Sequence, residues 1–410
     1  MQFNRRYVLA ATTATAAAAA ALGLMAGAAA AQDTIKIGEI NSYSGMPGFT
    51  QPYRKAWELA LEEINKKGGV LGKKLEVVAR DDGGKPGDAV KIAEEMVVND
   101  KVVMIGGTFL SNIGLAVTDF AAQKKVFFLA AEPLADQIVW EKGNRYTFRL
   151  RASTDTQAAM LVEEAKKSKA KKWATIAPNY AYGTDAVKSF VAHLKKARPD
   201  VEIVVQQWPA LGRIDAGAEV QALLKAAPEA IYNVTFGGDL AKFVKEGNAR
   251  GLFKGRTVVS LLTGEPEYAD PLGADMPEGW IVTGYPWSKI KTPEHEAFLK
   301  AYQAKYNDYP RLGSIVGYTW MYAAAGIIQK AGKTDTESLI KAARGIQLKS
   351  PMGAYYFRAL DHQSTLGAYV GLTTVESGKP TMKNWRYADG AKYMPPDAEV
   401  KKMRPADAMR

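Results

Sequence analysis

Thr34-Ile35-Lys36-Ile37-Gly38-Glu39-Ile40 reads as a strand of period two, and the residues behind it read as a helix. Tyr53, Ala56, Trp57, Ala60, Leu61 and Ile64 recur at helical spacing on one face, and Gly68-Gly69 supplies a left-handed stop. Lys74-Leu75-Glu76-Val77-Val78-Ala79-Arg80 is a second strand. Asp81-Asp82-Gly83-Gly84 is a turn, and Pro86 opens the next helix near its first turn, where its missing N–H is no loss. Strands and helices alternating at these lengths need a crossover from each strand to the next. That connection makes the strands parallel and lays helices over both faces of the sheet.

Outward from this unit the pattern repeats. Val102-Val103-Met104-Ile105 precedes a helix from about Ser111 to Gln123, and Val126-Phe127-Phe128-Leu129 is another buried strand. After Arg149-Leu150-Arg151 a second series begins, with strands expected at Trp173 to Ile176, Glu202 to Val205, Ala230 to Val234 and Thr257 to Leu261. Beyond Trp280-Ile281-Val282-Thr283-Gly284 the chain turns mostly helical, most clearly at Glu294 to Tyr306, Gly313 to Lys330 and Glu337 to Arg344. These helices need a sheet to cover. The chain is therefore expected to return to the first lobe near residue 285 and to send its last strands, around Leu366 to Val375, to the second. The expected architecture is α/β, two doubly wound parallel-sheet lobes joined by a multi-strand hinge. Residues 33–150 and 285–352 are assigned to lobe 1, and residues 151–284 and 353–410 to lobe 2.

Upstream of the first strand, Asn4-Arg5-Arg6-Tyr7-Val8-Leu9 leads into an alanine-rich run ending at Ala29-Ala30-Ala31, the layout of a cleavable export signal over residues 1–31. Its paired arginines fit a twin-arginine signal, but general-secretion signals also begin with basic residues, so the route stays open. Alanine in place of Leu or Ile, with small residues where a signal peptidase cuts, argues against a membrane anchor. The chain has no Cys, which excludes a lipidated N-terminal cysteine and leaves the fold to packing alone. The expected location is the periplasm. Removing Arg5 and Arg6 with the leader leaves 52 basic against 43 acidic residues. The densest basic cluster, Lys166-Lys167-Ser168-Lys169-Ala170-Lys171-Lys172, falls at an expected helix end, where cations meet the negative pole of the helix dipole. No nucleic-acid motif accompanies it, so a nucleic-acid partner is not expected.

Gly68-Gly69-Val70-Leu71-Gly72-Lys73-Lys74-Leu75-Glu76 running into Asp81-Asp82 resembles the early signature of the leucine/isoleucine/valine-binding family. These are type I periplasmic binding proteins serving ATP-driven importers. The resemblance extends, in order and spacing, through Ile37-Gly38 with Ser44-Gly45, Ile105-Gly106-Gly107, Tyr182-Gly183, Gly313 and Pro351-Met352-Gly353. The disulfide of some members cannot form here. The resemblance implies a monomer without cofactor that holds a small molecule between its lobes and delivers it to an ABC importer permease in the inner membrane. The same fold also serves as a sensor lobe that signals to a receptor, and sequence alone leaves that alternative open.

Several residues have physical reasons to meet the ligand. Gly106-Gly107-Thr108-Phe109-Leu110-Ser111-Asn112 is a strand-to-helix turn where Ser111 is expected to cap the helix and free N–H groups seat a carboxylate, with Ser111 and Asn112 as contacts. Ala130-Ala131-Glu132-Pro133 follows the next strand, and ligands in open α/β sheets gather at such carboxyl ends. Ala130 and Glu132 are the candidates there, and Glu132 departs from the small hydroxyl residue that the family often carries. On the second lobe the resemblance makes Tyr182 the facing aromatic, and Phe236 stands similarly in the Gly-flanked turn Val234-Thr235-Phe236-Gly237-Gly238. It also aligns Glu265 with the carboxylate that receives an α-ammonium in amino-acid-binding members, although Glu267 lies only two residues on. Phe49, Phe109, Trp287 and Tyr318 are further rings expected to close the cleft, more than an aliphatic side chain requires, which gives a flat aromatic acid or a bulky amino acid weight comparable to a branched-chain amino acid.

Enzyme readings find no support. G-x-S-x-G, Walker and dinucleotide G-x-G-x-x-G patterns are absent from the sequence, and no enzymatic activity is expected. His193, His295 and His362 are scattered without metal-ligand spacing and are expected at the surface or at helix caps, so no metal is expected.

Overall fold

The structure is a computed structural model describing residues 34–409. The export signal expected over residues 1–31 lies outside the described residues. The opening strand β1 (Ile35–Asn41) buries Ile35, Ile37 and Ile40 and runs parallel to β2 (Leu75–Asp81) on one side and β3 (Ile105–Gly107) on the other. With β4 (Phe128–Ala130) and β5 (Thr147–Arg149) it forms a five-stranded sheet of order β2-β1-β3-β4-β5, parallel throughout. The helices α1 (Pro47–Lys66), α2 (Pro86–Glu95) and α3 (Ser111–Lys124) make the crossovers. Strand order reverses between β1 and β3, the switch point outside which an open α/β sheet leaves a crevice.

The second sheet has the order β14-β13-β10-β9-β8-β6-β7. Strands β6 (Lys172–Ile176), β7 (Glu202–Gln207), β8 (Ala230–Asn233), β9 (Thr257–Gly264) and β10 (Ile281–Gly284) are parallel. The last two, β13 (Ala368–Glu376) and β14 (Lys379–Ala388), form an antiparallel edge. The helix α4 (Thr154–Ala165) leads from the first sheet into the second, and α5 (Ala181–Ala197), α6 (Ala216–Ala226) and α7 (Gly237–Ala249) follow successive strands. A single turn, α8 (Pro266–Ala269), follows β9.

The return of the chain to the first lobe is fixed by helix contact. The helices α9 (Pro293–Tyr306) and α10 (Leu312–Ala331) join the core built on Tyr53, Trp57 and Ala60. Any side chain on Gly317 would lie 2.1 Å from the carbonyl oxygen of Tyr53, so glycine is what lets α10 close on α1 and carry its N-terminus to the cleft. The helix α11 (Thr336–Ala343) follows, and then a separate hairpin of β11 (Gln347–Ser350) and β12 (Gly353–Tyr356). The residue 352/353 boundary expected from sequence falls in the turn of that hairpin. The final helix, α12 (Asp397–Met403), buries Val400 against Ile138, Val139 and Trp140. The end of the chain, assigned from sequence to lobe 2, is therefore seated on the loop that follows β4.

Two histidines differ from expectation. His295 and His362 are completely buried: His295 meets the Tyr285 hydroxyl at 2.6 Å, and His362 stacks on Phe148 with ring centroids 3.9 Å apart. Burial pulls the pKa of His295 down to about 4 and that of His362 well below the usual range, so both rings are neutral packing groups.

Candidate ligand-binding site

Seven side chains meet between the lobes because each stands just beyond the carboxyl end of a parallel strand. Ser111 follows β3, Glu132 follows β4 and Arg151 follows β5. Tyr182, Phe236 and Glu265 follow β6, β8 and β9, with Tyr268 on α8. Two non-glycine residues here adopt positive φ, Thr108 at 61° and Leu262 at 69°, a local strain that surrounding packing must hold in place. At Gly107, with φ of 92°, a side chain would strike the carbonyl oxygen of Ile40 at 2.4 Å.

Arg151 is the centre of the arrangement. Its guanidinium reaches Glu132 of the first lobe at 3.5 Å, pairs with Glu265 of the second, and lies 5.6 Å from the ring centroid of Phe49. Burial opposes its charge, but Glu265 and Glu132 override that and raise its pKa. Burial pushes Glu265 up to about 8 against the pull of Arg151, and holds Glu132 well above the ordinary carboxylate range. Glu267 is raised by burial as well. One guanidinium cannot neutralise three desolvated carboxylates, so burial favours the protonated form of each.

Around this cluster stands a cage of rings. Phe49 and Phe109 from the first lobe lie 4.9 Å apart, and Phe109 meets Phe236 of the second edge-on at 6.3 Å. Phe236 in turn contacts Tyr182 at 5.7 Å and Tyr268 at 5.9 Å. Phe109, Tyr182, Phe236 and Tyr268 line a cleft of about 280 Å³, partly open to solvent, with Ser111, Glu132 and Arg151 on its wall. Glu132 Oε1, Glu265 Oε2 and the hydroxyls of Tyr182 and Tyr268 are buried without a hydrogen-bond partner among the described residues.

Ser111 differs from expectation. It is the first residue of α3 rather than its cap, and Leu110 occupies the capping position without a side-chain bond. The Ser111 hydroxyl accepts from the backbone N–H groups of Leu134 at 3.2 Å and Ala135 at 3.1 Å. With both lone pairs engaged, it can offer the cavity only its O–H as a donor.

The lobes also meet beside the cavity. Glu267 Oε1 accepts from the Gly313 N–H at 2.5 Å at the start of α10, and the Tyr309 hydroxyl donates to Asp270 at 2.7 Å. A carboxylate of one lobe thus sits at the positive helix end of the other.

The sequence model of the family described as periplasmic binding protein matches residues 34–379. This chain belongs to that family. It is 27% identical to Leu/Ile/Val-binding protein homolog 7 of Brucella suis over 85% of this chain and 91% of the relative. It is 28% identical to the leucine-, isoleucine-, valine-, threonine- and alanine-binding protein of Pseudomonas aeruginosa, over 79% of this chain and 85% of that one. Among solved structures it is similar to a solute-binding protein of an ABC transporter from Rhodopseudomonas palustris in complex with 3,4-dihydroxybenzoic acid. That likeness has a TM-score of 0.77 and 25% identity, and covers 87% of this chain and 98% of the other.

Within this periplasmic binding protein, the structure gathers Ser111, Glu132, Tyr182, Phe236, Phe109, Phe49 and Glu265 around one cleft. Ala130 is the last residue of β4, completely buried, and Asn112 lies one step along α3 with its Oδ1 buried and unpartnered among the described residues. Trp287 and Tyr318 are not brought to the cavity. Trp287 stacks on Tyr309 at 4.8 Å and lines an outer groove with Lys289 and Lys379. Tyr318 faces the other way on α10, donating to Glu63 at 2.6 Å beside Tyr322. Helical spacing locates a ring on a helix without saying which neighbour that face meets. Sequence reasoning missed Arg151, Glu267 as an inter-lobe contact, and Tyr268. Arg151 had a signal of its own, a cation two residues past a strand in the same offset as Glu132 past β4.

Proposed function

We propose that this protein is the periplasmic substrate-binding component of an ABC importer, and that its cleft takes a small carboxylate-bearing solute, with a single-ring aromatic acid filling the ring-lined cavity. The observation that carries this reading is the convergence of the Arg151 guanidinium and the Ser111 hydroxyl, whose acceptor capacity is already used, on a cavity walled by aromatic rings from both lobes. A carboxylate offers what both donors need, and its ring suits the cage. The amino-acid-binding relative and the complex of an ABC-transporter solute-binding protein with 3,4-dihydroxybenzoic acid support a carboxylate-bearing ligand.

The cycle follows from the two-lobe build. In the open state the ligand docks on Ser111 and Arg151. Closure then adds Phe236, Tyr182 and Tyr268, and the gain equals the contacts made with the second lobe. The protein acts as an exported monomer, releases its ligand chemically unchanged, and presents the closed face to an inner-membrane permease.

A thermal-shift screen of the mature protein against benzoates, amino acids, amides and sugars tests the reading. Binding to the folded state alone raises Tm, so benzoate or a hydroxybenzoate is expected to raise it. A rise with sugars or amides and none with any carboxylic acid contradicts it.

A further inference from the structure

Away from the cleft, the first lobe carries a solvent-open pocket of about 390 Å³ lined by Arg145, Glu337, Ser338, Ile340, Lys341 and Arg344. Lys341 and Arg344 stand at the end of α11, where a helix dipole welcomes cations unaided. The dipole gives no reason for a third cation, Arg145, to arrive from just before β5. Glu337 is the one carboxylate on the wall, and its side chain is 62% exposed where it pairs with Arg145. Solvent screens such a pair, so it holds Arg145 only weakly. The Nε of Arg145 is buried without a hydrogen-bond partner among the described residues. Beneath the pocket the positive charge continues. Arg344 donates through Nε to Nε2 of the buried His362 at 3.0 Å, and the Nδ1 of that neutral ring donates to the Thr147 carbonyl at 3.1 Å. Arg404 donates to the carbonyls of Asn144 at 2.8 Å and Asp361 at 3.0 Å, acceptors without net charge. Burial lowers the pKa of Arg344, and repulsion from Arg145 lowers it further. Burial also brings Arg404 down to about 10, with Asp361 opposing the fall and Arg344 adding to it. Guanidiniums that repel one another thus crowd the floor and wall of one pocket, and an added negative charge relieves that repulsion.

We propose that this pocket, formed by Arg145, Lys341 and Arg344 on the first lobe and separate from the ligand cleft, is an anion site that takes a phosphate group. The guanidiniums of Arg145 and Arg344 are planar forks that match pairs of phosphate oxygens, and the Lys341 ammonium adds a point charge at the rim. An incoming phosphate displaces Glu337, whose exposed side chain turns out to water. The pocket is wide enough for free phosphate and open enough for the phosphate of an anionic lipid headgroup, and the recognising chemistry is the same for both. The inference does not depend on which ligand the cleft holds.

Calorimetric titration of inorganic phosphate into the mature protein at low salt, beside co-sedimentation with phosphatidylglycerol vesicles, tests it. Phosphate is expected to bind with a Kd of roughly 1 mM or below. Arg145→Gln should weaken it at least roughly tenfold and Lys341→Gln roughly fivefold, whereas Glu337→Gln, which removes the competing carboxylate, should tighten it about threefold. Lys341 and Glu337 are exposed, so their variants carry the test if Arg145→Gln fails to fold. Two further variants should leave the phosphate Kd within about twofold: Arg151→Met in the cleft, and Lys242→Gln, which removes the same charge from an exposed position on α7. Binding to vesicles but not to free phosphate, with the same order of variants, assigns the phosphate to a lipid headgroup. Absence of binding in both arms overturns the site. So does binding that Lys242→Gln weakens as much as Lys341→Gln, or that Arg151→Met abolishes.

Discussion

Arg149 and Arg151 stand two residues apart at the end of one strand, both buried, and they do opposite things. Arg149 faces the hinge, where its Nε donates to Gln363 at 2.6 Å and its Nη1 donates to the carbonyls of Leu134 and Ala135. Its backbone is bonded to the crossing segment as well, its N–H donating to the His362 carbonyl at 3.0 Å and its carbonyl accepting from the Ser364 N–H at 2.9 Å. Burial lowers its pKa to about 10, with the surrounding aspartates pulling the other way. Arg151 faces the cleft and is held by carboxylates from opposite lobes, each with a second oxygen left unpartnered among the described residues. The difference is between neutral carbonyl and amide acceptors fixed in one joint and carboxylates that reach the same guanidinium from two lobes. The first makes a permanent joint; the second makes a contact that a ligand can take over.

The comparison breaks most severely at the hinge. Arg149→Met strands carbonyls and aspartates that are buried around a charge, and removing one side of such a buried set costs about 3–5 kcal/mol. A fall in Tm of roughly 10 °C is expected by calorimetry. Arg151→Met should cost clearly less, because Glu132 and Glu265 relax by protonating. Equal losses for the two variants would mean that the two arginines share one structural role.

Next in size is Glu265→Gln. Gln keeps the shape but loses the charge that an ammonium needs, so L-leucine should bind at least roughly tenfold more weakly while benzoate changes little. Calorimetry with both ligands distinguishes the cases, and small equal changes would remove Glu265 from ligand contact.

The pH dependence is gentler. Glu265 and Glu132 have raised pKa values in the closed protein, so their contribution to closure is complete below the usual carboxylate range and is lost as pH rises, for Glu265 through about 8. Without ligand, the closed form should gain population as pH falls from 8 to 5, read as a smaller radius of gyration by solution scattering. Benzoate affinity should rise over the same interval by less than about tenfold per pH unit. A radius that shrinks as pH rises would invert the assignment. The smallest expected effect is at Trp287→Ala, which removes a ring stacked outside the cavity and should leave benzoate Kd within about twofold; a tenfold loss would place the outer groove in the site.

The alternating series made the two sheets legible from the first strand, because period-two runs and amphipathic helices of ordinary length leave few topologies. Strand ends were legible too, and with them most of the cleft. Arg151 was not, since a charged residue past a strand reads as the start of a loop until a partner lobe is placed over it. Trp287 and Tyr318 went astray for the reverse reason, as their rings pack locally on Tyr309 and Phe298. His362 was hidden because its neutral state comes first from burial against Phe148, with Arg404 and Arg344 beside it, and no local pattern shows that burial until the hinge forms.

The central claim is that Arg151 is the cation that a ligand carboxylate takes from the two lobes. Calorimetric titration of benzoate into Arg151→Met beside the wild type tests it most directly. Loss of a buried charge-assisted pair predicts a Kd at least roughly a hundredfold higher, with the variant still folded. A benzoate Kd unchanged from wild type in the folded variant would contradict it.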